Sequence, residues 1–190
     1  MGKLIVISGP SGVGKGTVVG LLKQIYEQKK EKLYVSISCT TRLSRQGEKE
    51  GVNYYYITEE EFKKRIQEDD FFEYNIYGTG KYYGTPKSTA LKYLDDGYDV
   101  ILEIDINGYR QIKKQIPDCL GIFIMTSDEQ ELYERLKNRG TEDEELIRIR
   151  LETAKEEIKN KDIYDYVVIN PHGKQEETAK QIYDIIKENI

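Results

Sequence analysis

Lys15 stands in the run Gly9-Pro10-Ser11-Gly12-Val13-Gly14-Lys15-Gly16-Thr17, directly behind the apolar residues Leu4-Ile5-Val6-Ile7. Glycines at this spacing let the main chain turn tightly, so that successive N–H groups point at one anion. The lysine adds a mobile ammonium, and a helix opening behind the turn adds the positive end of its dipole. A buried strand, a glycine-rich turn, a lysine and a helix in this order bind the phosphates of a nucleoside triphosphate with its Mg2+. The pattern G-x-x-x-x-G-K-[ST] expects a hydroxyl next to the lysine. Here Gly16 takes that place and Thr17 follows, so Thr17 is expected to carry the metal-side hydroxyl. Ser11, Gly12, Val13, Gly14, Lys15, Gly16 and Thr17 form the expected triphosphate site.

A second set of residues with phosphate chemistry follows. Ser38-Cys39-Thr40-Thr41-Arg42-Leu43-Ser44-Arg45 places two arginines three apart beside several hydroxyls. Arginine suits multidentate recognition of phosphate oxygens, and Tyr54, Tyr82 and Tyr83 offer phenolic donors nearby. Further on, Arg135 and Arg139 lie four apart on one face of a helix end, and Arg148 and Arg150 sit in the next helix beyond an acidic loop. Such arginines also serve as ordinary surface partners of Glu131, Glu142 or Glu145. Glu103 and Asp105 end an apolar run, where a carboxylate can orient a metal-bound water or brace an arginine.

These groups need a scaffold. A chain of 190 residues accommodates one compact domain with a real core and an inserted subdomain. With 38% hydrophobic and 33% charged residues the composition is that of a soluble globular protein. No apolar run approaches the ~20 residues of a membrane span. The first apolar run leads straight into the glycine-rich turn, unlike a signal peptide, and Val6 stands where a myristoylation motif wants Ser or Thr. A cytoplasmic location without membrane contact is expected. The net charge of −5 argues against broad nucleic-acid binding. Cys39 and Cys119 are eighty positions apart, too far for metal-ligand spacing, and read as reduced thiols. His172 is the only histidine and follows Asn170-Pro171 in a turn-like stretch. It reads as a surface-loop residue, so histidine-based catalysis is not expected.

Hydrophobic periodicity predicts a helix over about 17–31 and a strand over 33–38. Residues 38–84 are rich in Tyr, Thr, Arg and Gly, with β-type runs at 54–57 and 71–76. Between these runs Thr58 caps a helix, Glu61 completes a capping box, and Phe62 and Ile66 face inward. The block reads as an inserted subdomain holding a second ligand. Thr85-Pro86 opens the next helix and Gly97 stops it. Strands over 99–104, 120–125 and 166–169 alternate with helices over 106–115, after Ser127 (with Gln130 three residues later), through Ile147 to Ile158, and through Ala179 to Ile186. This alternation predicts an α/β fold whose parallel sheet is covered on both faces. Ligands then sit at the carboxyl ends of the strands, where the glycine-rich turn, Ser38, Asp105 and Ser127 all fall.

Taken together the motifs resemble the guanylate kinase family along nearly the whole chain. The resemblance rests on residues 9–15, Ser38-Cys39-Thr40-Thr41-Arg42 with Arg45, Gly47-Glu48, Tyr54, Phe72-Glu73 and Tyr82-Tyr83-Gly84-Thr85. It continues through Glu103-Ile104-Asp105 with Gly108, Arg139-Gly140-Thr141-Glu142 and Val168-Ile169-Asn170. It implies transfer of the γ-phosphoryl group of ATP, with Mg2+, to GMP, giving ADP and GDP, in purine nucleotide synthesis and GMP recycling. It also implies a three-layer P-loop fold with a five-stranded parallel core over about 1–37, 85–136 and 160–190. A GMP-binding subdomain would span about 38–84 and a small lid about 137–159, in a monomer or homodimer.

By position, Ser38, Arg42, Arg45, Tyr54 and Tyr83 look like GMP-phosphate ligands, Glu73 and Thr85 like guanine readers, and Asp105 like a further GMP-site residue. Arg135, Arg139 and Arg150 look like lid residues closing on the transferring phosphate, and Asn170 like part of the adenine site. With Lys15, Arg42 and Arg45, these arginines make up the expected catalytic set. The chain departs from the family at Glu103, where Asp is common, and at Pro171, where an acidic residue is common. The segment 75–81 is one residue longer than usual. Gly14-Lys15-Gly16-Thr17 also resembles adenylate kinase, but Glu73 and the Arg42/Arg45 pair argue for GMP. Guanylate-kinase-like peptide-binding modules tend to lack the intact phosphate loop that is present here.

Overall fold

The computed structural model describes residues 2–45, 47–77, 80–138 and 144–189. In chain order the first elements are β1 (Leu4–Ser8), α1 (Lys15–Lys29), β2 (Leu33–Val35), β3 (Cys39–Thr40), β4 (Tyr55–Tyr56) and α2 (Glu59–Gln67). Then come β5 (Phe71–Tyr77), β6 (Lys81–Pro86), α3 (Lys87–Asp95), β7 (Asp99–Glu103) and α4 (Ile106–Gln115). Last are β8 (Leu120–Met125), α5 (Glu129–Asn138), α6 (Glu144–Lys159), β9 (Tyr166–Ile169) and α7 (Gln175–Glu188). The strands form one five-stranded sheet in the order β2-β7-β1-β8-β9 and one four-stranded sheet in the order β4-β3-β6-β5. The chain divides into two compact units, Met1–Leu4 with Leu33–Cys119, and Ile5–Lys32 with Leu120–Ile190.

In the first unit β2 runs parallel to β7. The four-stranded sheet is built on the β5–β6 hairpin, whose antiparallel register sets Glu73 opposite Thr85. Cys39, Phe62 and Phe71 are buried under this sheet, with Ile66 and Tyr82 packed against them. The Phe62 and Phe71 rings stack at 4.4 Å. Thr58 caps α2 as expected, accepting from the Glu61 N–H at 3.1 Å. The Glu61 carboxylate does not close the box; it pairs with Arg65 one turn on. Gln111 and Gln115 of α4 reach the main chain of β5 at Tyr74 and Phe72. They occupy backbone groups that an edge strand would otherwise leave unpaired.

In the second unit β8 lies between β1 and β9, parallel to both. All five residues of β1 are buried, which explains its unbroken apolar run. Helices α1 and α7 pack together, with the Tyr26 and Tyr183 rings edge to face at 5.4 Å. None of the described helices is long and apolar enough to cross a membrane.

Several boundaries differ from the sequence expectation. Helix α1 starts at Lys15, two residues early, because Gly14 adopts φ 90° and turns the chain into the helix there. Strand β2 ends at Val35, so Ser38 lies in the segment that follows it. Thr85 and Pro86 belong to β6, and α3 begins only at Lys87. Cross-strand pairing to β5 outweighs the local helix-start signal there. Gly97 does stop α3, with N–H groups of Gly97 and Tyr98 bonded back to Leu94 and Tyr93. At α5 the capping carboxylate is Asp128, which accepts from the Glu131 N–H at 2.8 Å, in place of Ser127.

The turn after β1 depends on glycine. Gly9 has φ 149°, and a Cβ there would lie 2.1 Å from the carbonyl oxygen of Ile124. Gly9→Ala combines a disfavoured backbone with a clash against main chain, and is expected to lose about 2 kcal/mol or more of stability. Urea unfolding of the variant beside the parent chain measures this.

Candidate functional site

The second unit carries the phosphate loop. Gly9, Gly12 and Gly14 all have positive φ, and α1 begins with no acidic residue in its first turn and no side-chain cap. Its first N–H groups therefore remain available to an anion. The Lys15 ammonium folds back on the loop, donating to the carbonyls of Gly9 at 2.6 Å and Pro10 at 3.1 Å. Behind the loop the Val13 carbonyl accepts from Arg135 Nη1 at 2.8 Å and from Asn170 Nδ2 at 2.7 Å. Arg135 also donates to the Asn170 carbonyl and pairs with Glu131. Asn170 is fully buried, its Oδ1 accepting from Thr178. Arg150 Nη1 donates to Ser11 Oγ at 2.6 Å.

In front of the loop is a cleft of about 750 Å3, lined by Gly12, Gly14, Thr17, Arg135, Asp128, Gln130, Glu131, Glu134, Asn138, His172 and Gln175. Thr17 is exposed to it, as a metal-side hydroxyl requires. No group of three or more His, Cys, Asp or Glu that could hold a metal ion occurs among the described residues. One hydroxyl beside a phosphate site fits Mg2+, which takes one or two protein ligands and completes its shell with phosphate oxygens and water. Asn170 lies behind the loop rather than in the cleft wall. His172 sits in an exposed turn, as the sequence predicts, and it also lines the cleft. No local pattern marks it, because the fold brings the start of α7 beside α5 and the loop.

The first unit carries a smaller pocket of about 290 Å3, lined by Ser38, Tyr54, Glu73, Tyr77, Tyr83, Gly84, Glu103, Ile104 and Asp105. At its base Glu73 is only 6% exposed. Thr85 Oγ1 donates to Glu73 Oε1 at 2.7 Å, and Ser38 Oγ lies 3.3 Å from Thr85 Oγ1. Burial pushes the Glu73 carboxyl up to about 7, with the Asp105 charge adding to the shift and the Thr85 hydrogen bond opposing it. Gly108 makes room for this carboxylate, since a Cβ there would meet Oε2 at 2.9 Å. Asp105 caps α4 through the Gly108 N–H at 2.8 Å, and its other oxygen accepts from the Tyr77 hydroxyl. Tyr77 is thus a pocket residue that the sequence reading did not single out; its segment has no motif, and only the β5–β6 hairpin aims it at Asp105.

Arg42 lies in the same unit, and Glu48 grips its two terminal nitrogens at 2.7 Å each. That ion pair raises the Arg42 pKa and holds the Glu48 carboxyl down at about 2. The Arg45 side chain is exposed. Arg148 is exposed and paired with Glu145, the ordinary surface role. Arg139 lies outside the described residues.

Comparison with known proteins gives the family of the whole chain. The family model described as Guanylate kinase matches residues 1–189. A guanylate kinase from Prochlorococcus marinus subsp. pastoris is 45% identical over 185 residues, covering 97% of each chain. One from Clostridium perfringens is 46% identical over 186 residues, covering 97% of this chain and 82% of the relative. The crystal structure of guanylate kinase from Anaplasma phagocytophilum superposes with a TM-score of 0.76 at 31% identity, covering 98% of this chain and 85% of that one. The parallel core sheet with inserted elements is accordingly the P-loop fold of the nucleoside-monophosphate kinases. On this ground the chain belongs to the guanylate kinase family, enzymes that transfer a phosphoryl group to GMP.

Proposed function

We propose that the chain transfers the γ-phosphoryl group of ATP to GMP, with the donor on the phosphate loop and the acceptor in the Glu73 pocket. The observation that carries the acceptor assignment is the buried Glu73 carboxylate backed by Thr85 and Ser38. Guanine presents two adjacent N–H donors, which a carboxylate accepts together. Adenine has a lone pair in place of one of them. When guanine supplies those donors, the Thr85 hydroxyl is released from Glu73 and can turn its proton to the guanine carbonyl. Pockets built on such bonds reject analogues lacking them by ~10⁴-fold.

The transfer itself needs no protein nucleophile. An oxygen of the GMP phosphate attacks the γ-phosphorus in line, and the bond to the bridging oxygen of ADP breaks. Lys15 leaves the Gly9 and Pro10 carbonyls for the outer phosphates of the donor. Ser11, Gly12, Val13, Gly14 and Gly16 cradle those phosphates, and Thr17 would hold Mg2+, which when bound would supply charge neutralisation to the donor. Ser38, Arg42, Arg45, Tyr54 and Tyr83 hold the GMP phosphate, and Asp105 keeps the pocket wall in place. Arg135, which also lines the cleft, and Asn170 fix the loop through the Val13 carbonyl. Arg139 and Arg150, in a lid over about 137–159, stabilise the charge that spreads over the transferring group and exclude water.

The acceptor specificity is tested by ADP formation with GMP, AMP, UMP or CMP, using Lys15→Ala as the control. Strong turnover with GMP alone is expected, and comparable turnover with AMP overturns the assignment of Glu73. The lid predicts that Arg139→Ala and Arg150→Ala each lower kcat on the order of 10²-fold or more while KM for GMP changes little. Steady-state kinetics with normal kcat would refute it.

Glu73 also makes pH predictions. Only the ionised carboxylate accepts both guanine donors, so GMP affinity should rise as pH rises through about 7. Glu73→Gln should weaken binding by ~10²-fold and flatten that dependence. For stability the sign is opposite. The folded pKa lies above the ordinary value of 4.5, so between 4.5 and about 7 the folded chain holds a proton that the unfolded chain has lost. Stability at this group is therefore greatest below pH 4.5 and is lost as pH rises through about 7. Glu73→Gln should be more stable than the parent at pH 8 and lose that advantage at pH 5, as read by urea midpoints.

A further inference from the structure

Glu48 has no part in the recognition described so far, yet its carboxylate is the most heavily bonded group of the Arg42 loop. It accepts from Arg42 Nη1 and Nη2 at 2.7 Å each, from the Arg45 main-chain N–H at 2.8 Å and from the Tyr56 hydroxyl at 2.8 Å. Arg42 Nη1 spends its second proton on the Leu43 carbonyl at 2.9 Å. A guanidinium has five N–H groups in one rigid plane. With three committed to Glu48 and Leu43, Nε–H and the outer Nη2–H lie side by side on the other edge, which the Tyr83 hydroxyl and an incoming anion can share. That edge matches two oxygens of a phosphate monoester. The plane is held further by the rings of Tyr54 and Tyr56, whose centroids lie 5.0 and 5.7 Å from the guanidinium carbon. The Tyr83 hydroxyl also reaches the group.

We propose that Glu48 is a positioning residue for the acceptor phosphate: by taking the end of the Arg42 fork, it leaves the Nε–Nη2 edge as the one that receives GMP. The inference rests on the reading of Arg42 as a phosphate ligand. A carboxylate this close to an anion site has an opposite effect available to it, since it competes for the arginine and repels the phosphate. The two roles differ in sign. If competition dominates, removing the Glu48 charge tightens GMP binding. If positioning dominates, removing it frees the guanidinium plane and weakens binding, because small displacements of an aligned group are worth up to ~10²-fold.

The experiment is calorimetric binding of GMP to the full chain, comparing the parent with Glu48→Gln, Arg42→Lys and the double variant, with ATP binding and steady-state kinetics alongside. Glu48→Gln is expected to weaken GMP binding about tenfold, to raise KM for GMP more than it lowers kcat, and to leave ATP affinity unchanged. Arg42→Lys keeps the charge but has no fork, so adding Glu48→Gln to it should cost less than about twofold more. Unchanged or tighter GMP binding in Glu48→Gln overturns the proposal, as does a full additional loss in the Arg42→Lys background. Parent-like GMP affinity in Arg42→Lys overturns the reading of Arg42 itself, and the positioning role with it. If Glu48→Gln does not fold, Tyr56→Phe loosens the same carboxylate without removing its charge. Weaker GMP binding there supports the proposal, and unchanged or tighter binding overturns it.

Discussion

On the proposed reading, a chain of net charge −5 that takes two anionic substrates must keep its cations where phosphate will arrive without letting them collapse onto its own carboxylates. The rest of the site depends on how that constraint is met. Lys15 rests on two loop carbonyls, neutral partners that a phosphate outcompetes. Arg150 rests on a serine hydroxyl. Arg42 and Arg135 are instead gripped by Glu48 and Glu131. Those two have little side-chain exposure, 13% and 14%, so their pairs are less screened than surface ones. Arg42 and Arg135 are thus held in orientation by charge.

The proposed acceptor pocket solves the opposite problem. Glu73 is an acid kept beside the Thr85 hydroxyl and near the Asp105 charge, and burial raises its pKa to about 7. Its ionised form is poorly supported until a ligand brings donors. The proposed acceptor role follows from this, since such a pocket gains most from a base carrying two adjacent N–H groups. The framework around it is organised to keep that acid in place. Thr85 faces it across the β5–β6 register, Gly108 yields it space, and Asp105 ties the start of α4 to the pocket wall.

The phosphate loop was legible at once, because its demands are local: positive φ at glycine, a lysine and a helix start are all encoded within nine residues. The buried strands β1, β7 and β8 were legible for a similar reason, as apolar runs covered on both faces. The short strand β3 was missed, and β6 was taken partly for a helix start. Two residues carry too little periodicity to read, and the Thr85-Pro86 signal is outweighed by pairing with Glu73 and Phe71 of β5.

By itself the sequence determined the chemistry offered: a triphosphate loop, paired arginines, an acid and a threonine in the right order, and a parallel α/β scaffold. Only the tertiary structure decided what each group is free to do. It put Arg135 and Asn170 on the Val13 carbonyl, brought His172 to the cleft, set Tyr77 on Asp105 and clasped Arg42 with Glu48. Residue type fixes which bonds a side chain can make. Burial and partners from distant parts of the chain fix which of those bonds are already spent, and no local pattern records that.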